Sequence, residues 1–202
     1  NWIPVKELKA ASCINKESEG CSWAEVKSYI VHDGTPLLLR TNNGETRSIP
    51  IHDRKDDVAI VRLAKKSVTK KYLPIANDTP KDGDRLIGYG SGSVKKDASL
   101  DRKIRVVELS ADVTAGPTMP GRFLAIHSNE KGFCHGDSGG PVFTNQNGVL
   151  VLSGVVSGGL NRTGDFACGA MGTIVTDLSK YSDWIKTESS RLLGTDQQVS
   201  SR

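Results

Sequence analysis

A glycine-rich turn around Ser138 is the part of this chain whose residue types best suit covalent chemistry. The segment Gly136–Pro141, GDSGGP, places glycines on both sides of an Asp-Ser pair and leads into an apolar strand. Glycines beside a serine permit a sharp turn that exposes the hydroxyl, and they let neighbouring N–H groups point at one spot, as an oxyanion hole requires. An ordinary turn between strands is the alternative, but a run of six such residues makes it the weaker one. The segment therefore predicts that Ser138 is a nucleophile.

The composition is that of a globular protein. The 202 residues are 37% hydrophobic and 25% charged, which suits one large all-β domain or two small ones. The net charge of +4 comes from 27 Lys and Arg against 23 Asp and Glu. These charges are interspersed, so neither nucleic acid nor a membrane is expected as a partner. No apolar run approaches the ~20 residues of a membrane span.

Four cysteines, at positions 13, 21, 134 and 168, add a second chemical signal. An even number without a Cys-x-x-Cys pair argues against a zinc ribbon and permits two disulfides. Disulfides form in oxidising compartments, which predicts a secreted or periplasmic protein. We expect no metal and no cofactor.

The elements that must position Ser138 are short β-strands separated by turns. Turn residues predict breaks at Asp33-Gly34 and Asn42-Asn43-Gly44 and a hairpin at Asn147-Gly148. Runs of β-type residues predict strands over 57–63, 84–92, 103–113, 122–128, 141–159 and 172–178.

The last part of the chain predicts a helix over 178–193. Apolar residues recur there at helical spacing, at Leu178, Tyr181, Trp184, Ile185 and Leu192. The polar residues 194–202 are expected to form a loose tail. Together the elements predict an all-β barrel or sandwich closed by one C-terminal helix.

Four segments of the chain point to one known family. Beside Gly136–Pro141, the strand Asp57–Leu63 reads DVAIVRL, Val155–Gly159 reads VVSGG, and Tyr181–Ile185 reads YSDWI. In these segments the sequence resembles the trypsin/chymotrypsin family of serine peptidases. The resemblance implies a chymotrypsin-like double antiparallel β-barrel with its active site in the cleft between the barrels. The implied peptidase domain covers 1–193, with one barrel over about 1–75, a second over about 82–178 and the helix over about 178–193.

The same resemblance assigns the catalytic groups. Ser138 attacks the peptide carbonyl, Asp57 orients a histidine base, and the N–H groups of Gly136 and Ser138 stabilise the oxyanion. The family's histidine lies in a Thr-Ala-Ala-His-Cys run, and the corresponding run here, Leu8–Cys13, carries Ser12 in its place. Serine has no group that titrates near neutral pH, so this chain is expected to be poorly active.

Four histidines offer alternative bases: His32, His52, His127 and His135. His32 precedes Asp57 by 25 residues, a spacing similar to that of some viral members of the fold, but a turn sequence follows it. The other three occupy positions where strand or surface histidines are common. Ser12 therefore remains the best equivalent of the missing base, with His32 as the alternative.

The beginning of the chain also departs from the family. No Ile/Val-Val-Gly-Gly start supplies the amine that family members pair with the aspartate before the nucleophile, here Asp137. The first strands are expected to be removed or to lie on a separate N-terminal chain that completes the first barrel, unless Asp137 has another cationic partner. Cys13 lacks its usual partner, and Cys21 is the expected substitute. Cys134 and Cys168 resemble the family disulfide that braces the specificity pocket.

The resemblance also locates the pocket that reads the residue before the scissile bond. Its base lies six residues before the nucleophile, at Gly132. Its walls are assigned to Ser157, Gly159 and Thr173. Without a charge at the base, a small or apolar side chain is expected, whereas Lys131 or His135 would favour an acidic one. A plain turn at Gly132 is the alternative.

Two functions follow from these assignments. The first is a serine endopeptidase that acts on protein or peptide substrates, with its activity lowered by Ser12. The second is a pseudoprotease that retains the cleft as a protein-binding module. The intact motif at Ser138 and the presence of Asp57 favour the first function, because an unused nucleophile is usually lost.

Overall fold

The structure is a computed structural model that divides into two compact units. The first comprises 1–14, 21–71 and 181–202, and the second comprises 15–20 and 72–180. The residues described are 9–13, 21–32, 38–40, 46–48, 56–65, 72–94, 103–114, 120–128, 131–160 and 171–194. None of the helices in these ranges combines the length and apolar character needed to cross a lipid bilayer.

The first unit contains a three-stranded antiparallel sheet and a separate strand pair. In the sheet, the order is β1 (Lys9–Cys13), β2 (Cys21–Val31) and β5 (Ala59–Leu63). The pair is formed by β3 (Leu38–Arg40) and β4 (Thr46–Ser48). Because β2 has 11 residues, β1 pairs with its first half and β5 with its second half. The pairing of β3 with β4 brackets the predicted turn at 42–44, which lies outside the described residues, as does the predicted turn at 33–34.

The predicted C-terminal helix is present and begins with a 3₁₀ turn. The turn spans Leu178–Tyr181 and is followed by α1 (Ser182–Gly194). The Asp177 carboxylate accepts hydrogen bonds from the N–H (3.0 Å) and the hydroxyl (2.6 Å) of Ser179, which satisfies donors that a helix start leaves free. Near the other end, Arg62 of β5 donates to the carbonyl of Leu192, where a cation offsets the negative end of the helix dipole.

The second unit is the closed antiparallel barrel that carries Ser138. Its six strands are β6 (Arg85–Gly90), β7 (Arg105–Asp112), β8 (Arg122–Ile126), β9 (Pro141–Gln146), β10 (Val149–Leu160) and β11 (Gly172–Asp177). They close in the order β10-β11-β8-β7-β6-β9. Five of the six lie within stretches that the sequence predicts to be extended, and β10 runs one residue beyond its stretch. The predicted all-β barrel with a C-terminal helix is therefore confirmed.

A two-residue turn at Asn147 and Gly148 joins β9 to β10. Both residues have positive φ, 54° and 82°, which is the conformation of a type I′ turn. Asn and Gly are the residues that adopt this conformation at least cost. Gln146 and Val149 pair across the turn, as the predicted hairpin requires.

The barrel core anchors the segment that leads to Ser138. The core side chains are Leu86, Leu109, Ala111, Phe123, Ala125, Phe133, Val142, Val156 and Val175. Phe133 belongs to the loop before the nucleophile turn, and its ring lies so close to Gly88 of β6 that a Cβ at Gly88 would overlap it. Burial of a phenylalanine ring contributes about 1.5–3 kcal/mol, so the start of the loop is fixed by the core.

Strand β10 is bent and pairs with two strands, β9 and β11. Its register shifts once between Leu152 and Gly154, against β9, and again between Val156 and Gly158, against β11. Such bulges bend a strand and increase its twist. The first half of β10 therefore pairs with β9, and the second half pairs with β11.

Two glycines of β10 provide a matched test of this packing. A Cβ at Gly154 would lie 2.7 Å from the Thr176 carbonyl oxygen and would overlap the Val175 side chain, whereas a Cβ at Gly159 would meet no atom within 4 Å. We expect Gly154→Ala to lower the free energy of unfolding by about 1–3 kcal/mol because the core becomes overpacked. Gly159→Ala is expected to change it by no more than about 0.5 kcal/mol. Equal urea midpoints for the two variants would contradict this packing.

Candidate active site

The buried carboxylate of Asp137 holds the turn that presents Ser138. Asp137 is 8% exposed. Its Oδ1 accepts a hydrogen bond from the N–H of Gly92 at 2.7 Å, and its Oδ2 accepts one from the N–H of Cys134 at 2.8 Å. Hydrogen bonds to an ionised acceptor are about twice as strong as neutral ones, so two of them offset much of the cost of burying the charge. Within the described part of the chain, the donors to this carboxylate are peptide N–H groups rather than a cation.

The segment Gly90–Ser93 clamps the same turn from the end of β6. The N–H of Ser93 donates to the carbonyl of His135 at 2.8 Å, and the Ser93 hydroxyl lies 3.0 Å from the Cys134 sulfur. A Cβ at Gly92 would lie 2.6 Å from Asp137 Oδ1 and 2.6 Å from the His135 carbonyl oxygen. Glycine is therefore required at position 92 because the carboxylate and the turn occupy the space of a side chain.

The backbone of the turn leaves two N–H groups available. Asp137 donates to the Cys134 carbonyl, Gly139 to the Val156 carbonyl and Gly140 to the Asp137 carbonyl. Among the described residues, by contrast, the N–H groups of Gly136 and Ser138 have no hydrogen-bond partner. These two are the predicted oxyanion-hole donors.

The conformation of the turn also exposes the serine. Gly136 and Gly139 have φ values of +93° and +78°, which L side chains rarely adopt. Ser138 lies between them and is exposed to solvent. The arrangement has the features of a nucleophile beside an oxyanion hole.

Strand β10 supports the turn and offers an edge beside it. The N–H of Val156 donates to the Gly140 carbonyl at 2.9 Å, which completes a pair of bonds with the turn. After Val156 comes the bulge at Ser157, which is buried, and then Gly158 and Gly159 pair with β11. On the opposite edge of these glycines no strand pairs within the described residues. An extended peptide can add to such an edge.

Two of the predicted pocket residues, Gly132 and Thr173, lie against the imidazole of His127, which the sequence did not assign to the pocket. His127 follows β8, and its Nε2 lies 2.7 Å from the Thr173 hydroxyl and accepts a hydrogen bond from the N–H of Phe133 at 3.3 Å. A Cβ at Gly132 would overlap the His127 ring. Gly159 pairs with Thr173 in the sheet, which links the two predicted walls. The available sequence signal was the position of His127, five residues before the predicted base.

The first unit holds Asp57 and the His32 alternative. Asp57 is half-buried just before β5. The neighbouring carboxylate, Asp56, accepts a hydrogen bond from Tyr181 at 2.6 Å and has an oxygen 3.2 Å from His32 Nδ1. The His32 ring also packs edge-to-face on Tyr181 and Trp184, with centroids 5.0 and 4.8 Å away. These contacts tie the helix to the sheet and favour a structural role for His32.

The backbone of Ser12 lies far from Asp57 in this sheet. Ser12 is opposite Ser22 at the start of β2, whereas Ala59, two residues after Asp57, is opposite Val31 at the end of β2. Nine residues of strand correspond to about 30 Å. The structure therefore does not bring these two predicted residues together. Cys13 is opposite Cys21 in the sheet, and a disulfide between them stays a prediction.

The remaining predicted residues are the cysteines of the proposed pocket disulfide and three polar residues. Cys134 is disulfide-bonded, but Cys168 lies outside the described residues, as does His52, so the pairing of Cys134 with Cys168 stays a prediction. Lys131 and His135 are exposed. Within the described ranges, no group of three or more His, Cys, Asp and Glu side chains could hold a metal ion.

The Asp137 clamp predicts a specific loss of stability. In Asp137→Asn, an amide NH₂ must face one of the two N–H donors, so one hydrogen bond is lost and a buried donor is left without an acceptor. We expect the free energy of unfolding to fall by about 1.5–3 kcal/mol. The matched control is Asp82→Asn, which changes an exposed carboxylate of the same unit and should have an effect below about 0.5 kcal/mol. Similar urea midpoints for the two variants would show that the clamp contributes nothing.

Comparison with known proteins places the chain among proteases. The profile of the family described as Trypsin matches residues 13–185. Phenoloxidase-activating factor 3 of Holotrichia diomphalia is 29% identical over 150 residues, which are 65% of this chain and 41% of that protein. Hypodermin-B of Hypoderma lineatum is 30% identical over 208 residues, 91% of this chain and 74% of that protein. The chain spans about half or less of the length of several relatives, including phenoloxidase-activating factor 3.

Solved structures show the same fold. Neuropsin, a serine protease expressed in mouse brain, superposes with a TM-score of 0.65 at 24% identity, over 85% of this chain and 74% of that one. Human heparin binding protein gives 0.63 at 21% identity, over 85% and 69% of the two chains. At these identities the likeness concerns the fold, which is that of chymotrypsin. The family match over residues 13–185 shows that the chain belongs to the trypsin family of serine proteases.

Proposed function

We propose that this chain is a serine endopeptidase domain that cleaves slowly because no imidazole stands at position 12. Ser138 attacks the peptide carbonyl, and the N–H groups of Gly136 and Ser138 stabilise the oxyanion that forms. The observation that carries the proposal is the pair of unused N–H groups in a turn whose other N–H groups are bonded. A plain structural turn has no need for such a pair beside an exposed serine.

The substrate binds as an extended strand along β10. Gly158 and Gly159 offer their unpaired edge to the peptide backbone, next to the bonds that join β10 to the nucleophile turn. The side chain before the scissile bond enters a pocket beside Gly132, and the absence of a charge at Gly132 favours a small or apolar residue. The proposed substrates are proteins, because those are the substrates of the family as a whole.

The rate is limited by the missing base. Ser12 cannot take the proton of the Ser138 hydroxyl, and Asp57 then has no histidine to orient. Loss of a triad member lowers turnover by about 10⁴–10⁶ in measured systems. The protein is proposed to be secreted or periplasmic, which the disulfide at Cys134 supports.

A binding module is the second candidate. The register that sets Ser12 and Asp57 at opposite ends of β2 favours it, because a triad needs these two positions in contact. In this case the edge of β10 and the pocket hold a peptide without cleaving it.

Formation of a boronate adduct tests the proposed nucleophile without requiring a base in the protein. A peptide boronic acid with alanine at the boron-bearing residue should form a tetrahedral adduct with Ser138: the serine oxygen adds to boron, the hydroxyl proton passes to the buffer, and the oxyanion donors stabilise the resulting anion. We expect Ser138→Ala to weaken binding by about 10²-fold or more, the effect of losing a covalent bond and its oxyanion contacts. Isothermal titration and ¹¹B NMR provide the measurements. Equal affinity for both proteins would show that Ser138 is not a nucleophile.

Replacement of Ser12 separates the two candidate functions. The endopeptidase proposal expects Ser12→His to raise kcat/KM for a fluorogenic peptide by about 10²-fold or more, which is the scale of general-base catalysis. Ser12→Ala is the matched control, since it removes the hydroxyl without adding a base. If Ser12→His folds and binds the boronate but does not gain activity, the endopeptidase proposal fails and the binding module is supported.

The proposal also predicts how fast Ser138 of the unmodified chain reacts with a serine-directed reagent. A fluorophosphonate should label Ser138 only slowly at neutral pH, because the hydroxyl keeps its proton without a base. Mass spectrometry of the labelled chain gives the rate. Rapid labelling would mean that another group acts as the base and that the assignment of Ser12 is wrong.

A further inference from the structure

We propose that the His127 ring is the floor of the specificity pocket and restricts the residue before the scissile bond to a small side chain. This inference rests on the proposed function, because it concerns the same peptide-binding site. It assigns the selection of substrate to a histidine whose position in the sequence is typical of an ordinary strand or surface residue.

The path of the chain brings His127 back over Gly132. β8 ends at Ile126, and the N–H of His127 donates to the Met171 carbonyl at 3.3 Å, just before β11 begins. Ser128 and Lys131 then exchange backbone hydrogen bonds at 3.1 Å. His127 and Gly132 flank this bonded pair, and the His127 ring lies where a side chain at position 132 would be.

The ring takes the space of a side chain at the pocket base. A Cβ built on Gly132 would lie 2.5 Å from both Cγ and Cε1 of His127, well inside van der Waals contact, and would also overlap Nδ1. The imidazole at the end of the neighbouring strand therefore occupies the space of a side chain at position 132. A charged group such as aspartate at position 132 is therefore sterically excluded while His127 is present.

Buried partners hold the imidazole in this position. Its Nε2 lies 2.7 Å from the hydroxyl of Thr173 and accepts from the N–H of Phe133 at 3.3 Å. Thr173 and Phe133 are 2% and 6% exposed, so both partners belong to the packed barrel. Because the peptide N–H can only donate, Nε2 must accept in that bond, which favours the neutral tautomer protonated at Nδ1. A ring fixed by two buried groups gives a rigid, uncharged floor.

The wall of the pocket does not set the size limit. A Cβ at Gly159 would meet no atom within 4 Å, so no described side chain fills the space at this wall. The depth of the pocket is limited by the ring, which leaves room for alanine or serine but not for phenylalanine, lysine or arginine. One additional or missing methylene in such a pocket changes selectivity about 10–200-fold, so an aromatic ring that meets the floor is strongly disfavoured.

The test compares two peptide boronic acids that differ only in the boron-bearing residue, alanine or phenylalanine. For the unmodified chain we expect the alanine compound to bind at least about 10-fold more tightly. In His127→Ala, the phenylalanine compound should gain about 10-fold or more, while the affinity for the alanine compound should change by less than about 3-fold. His127→Gln, which can keep the bond to Thr173, should retain the original order of affinities and serves as the matched control.

Each outcome distinguishes this inference from the proposed function. Equal affinities of the unmodified chain for the two compounds would overturn the inference, even if His127→Ala failed to fold. An unchanged ratio in a folded His127→Ala would also overturn it. If neither compound forms an adduct that depends on Ser138, the proposed function itself fails and this inference falls with it. Adduct formation with the wrong order of affinities would overturn the inference alone.

Discussion

The buried carboxylate of Asp137 is the constraint on which the rest of the site depends. A buried charge needs hydrogen-bond donors, and the N–H groups of Gly92 and Cys134 each donate to one oxygen of this carboxylate. These bonds fix the side chain on one side of the turn and so determine which backbone groups of the turn point elsewhere. The N–H groups of Gly136 and Ser138 remain available as a consequence. The proposed oxyanion donors are thus the N–H groups left without a partner in the turn that this carboxylate holds.

The barrel provides the rigidity that this arrangement requires. Phe133 packs in the core against Gly88 just before the turn, and Val156 of β10 bonds both ways with the turn just after Ser138. The turn is held at both ends by elements whose positions are set by core packing. The bulges of β10 then direct Gly158 and Gly159 away from β9, so that no strand of the described residues pairs with their other edge beside the proposed nucleophile.

The sequence predicted those parts of the structure that depend on local chemistry. Asn147-Gly148 predicted a hairpin because few residues adopt two successive positive φ values. GDSGGP predicted a sharp turn because its glycines tolerate positive φ, which Gly136 and Gly139 adopt. The donors to Asp137 could not be predicted, because Gly92 lies 45 residues away and its stretch looks like the end of a strand. His127 was missed for a similar reason, since its contact with Gly132 depends on how one loop folds back. The pairing of β1 with β2, which separates Ser12 from Asp57, is likewise a choice of register that no local signal specifies.

We propose that the bonds of the Asp137 carboxylate leave the N–H groups of Gly136 and Ser138 as the oxyanion donors. Backbone amide ¹H shifts of residues 136–140, recorded with and without the alanine boronate, test this assignment most directly. We expect large downfield shifts of the Gly136 and Ser138 amide protons as they bind the boronate oxygen. Gly139 and Gly140 should change little, because their N–H groups already donate within the protein. Shifts confined to Gly139 and Gly140, or an adduct that leaves all these amides unchanged, would contradict the assignment.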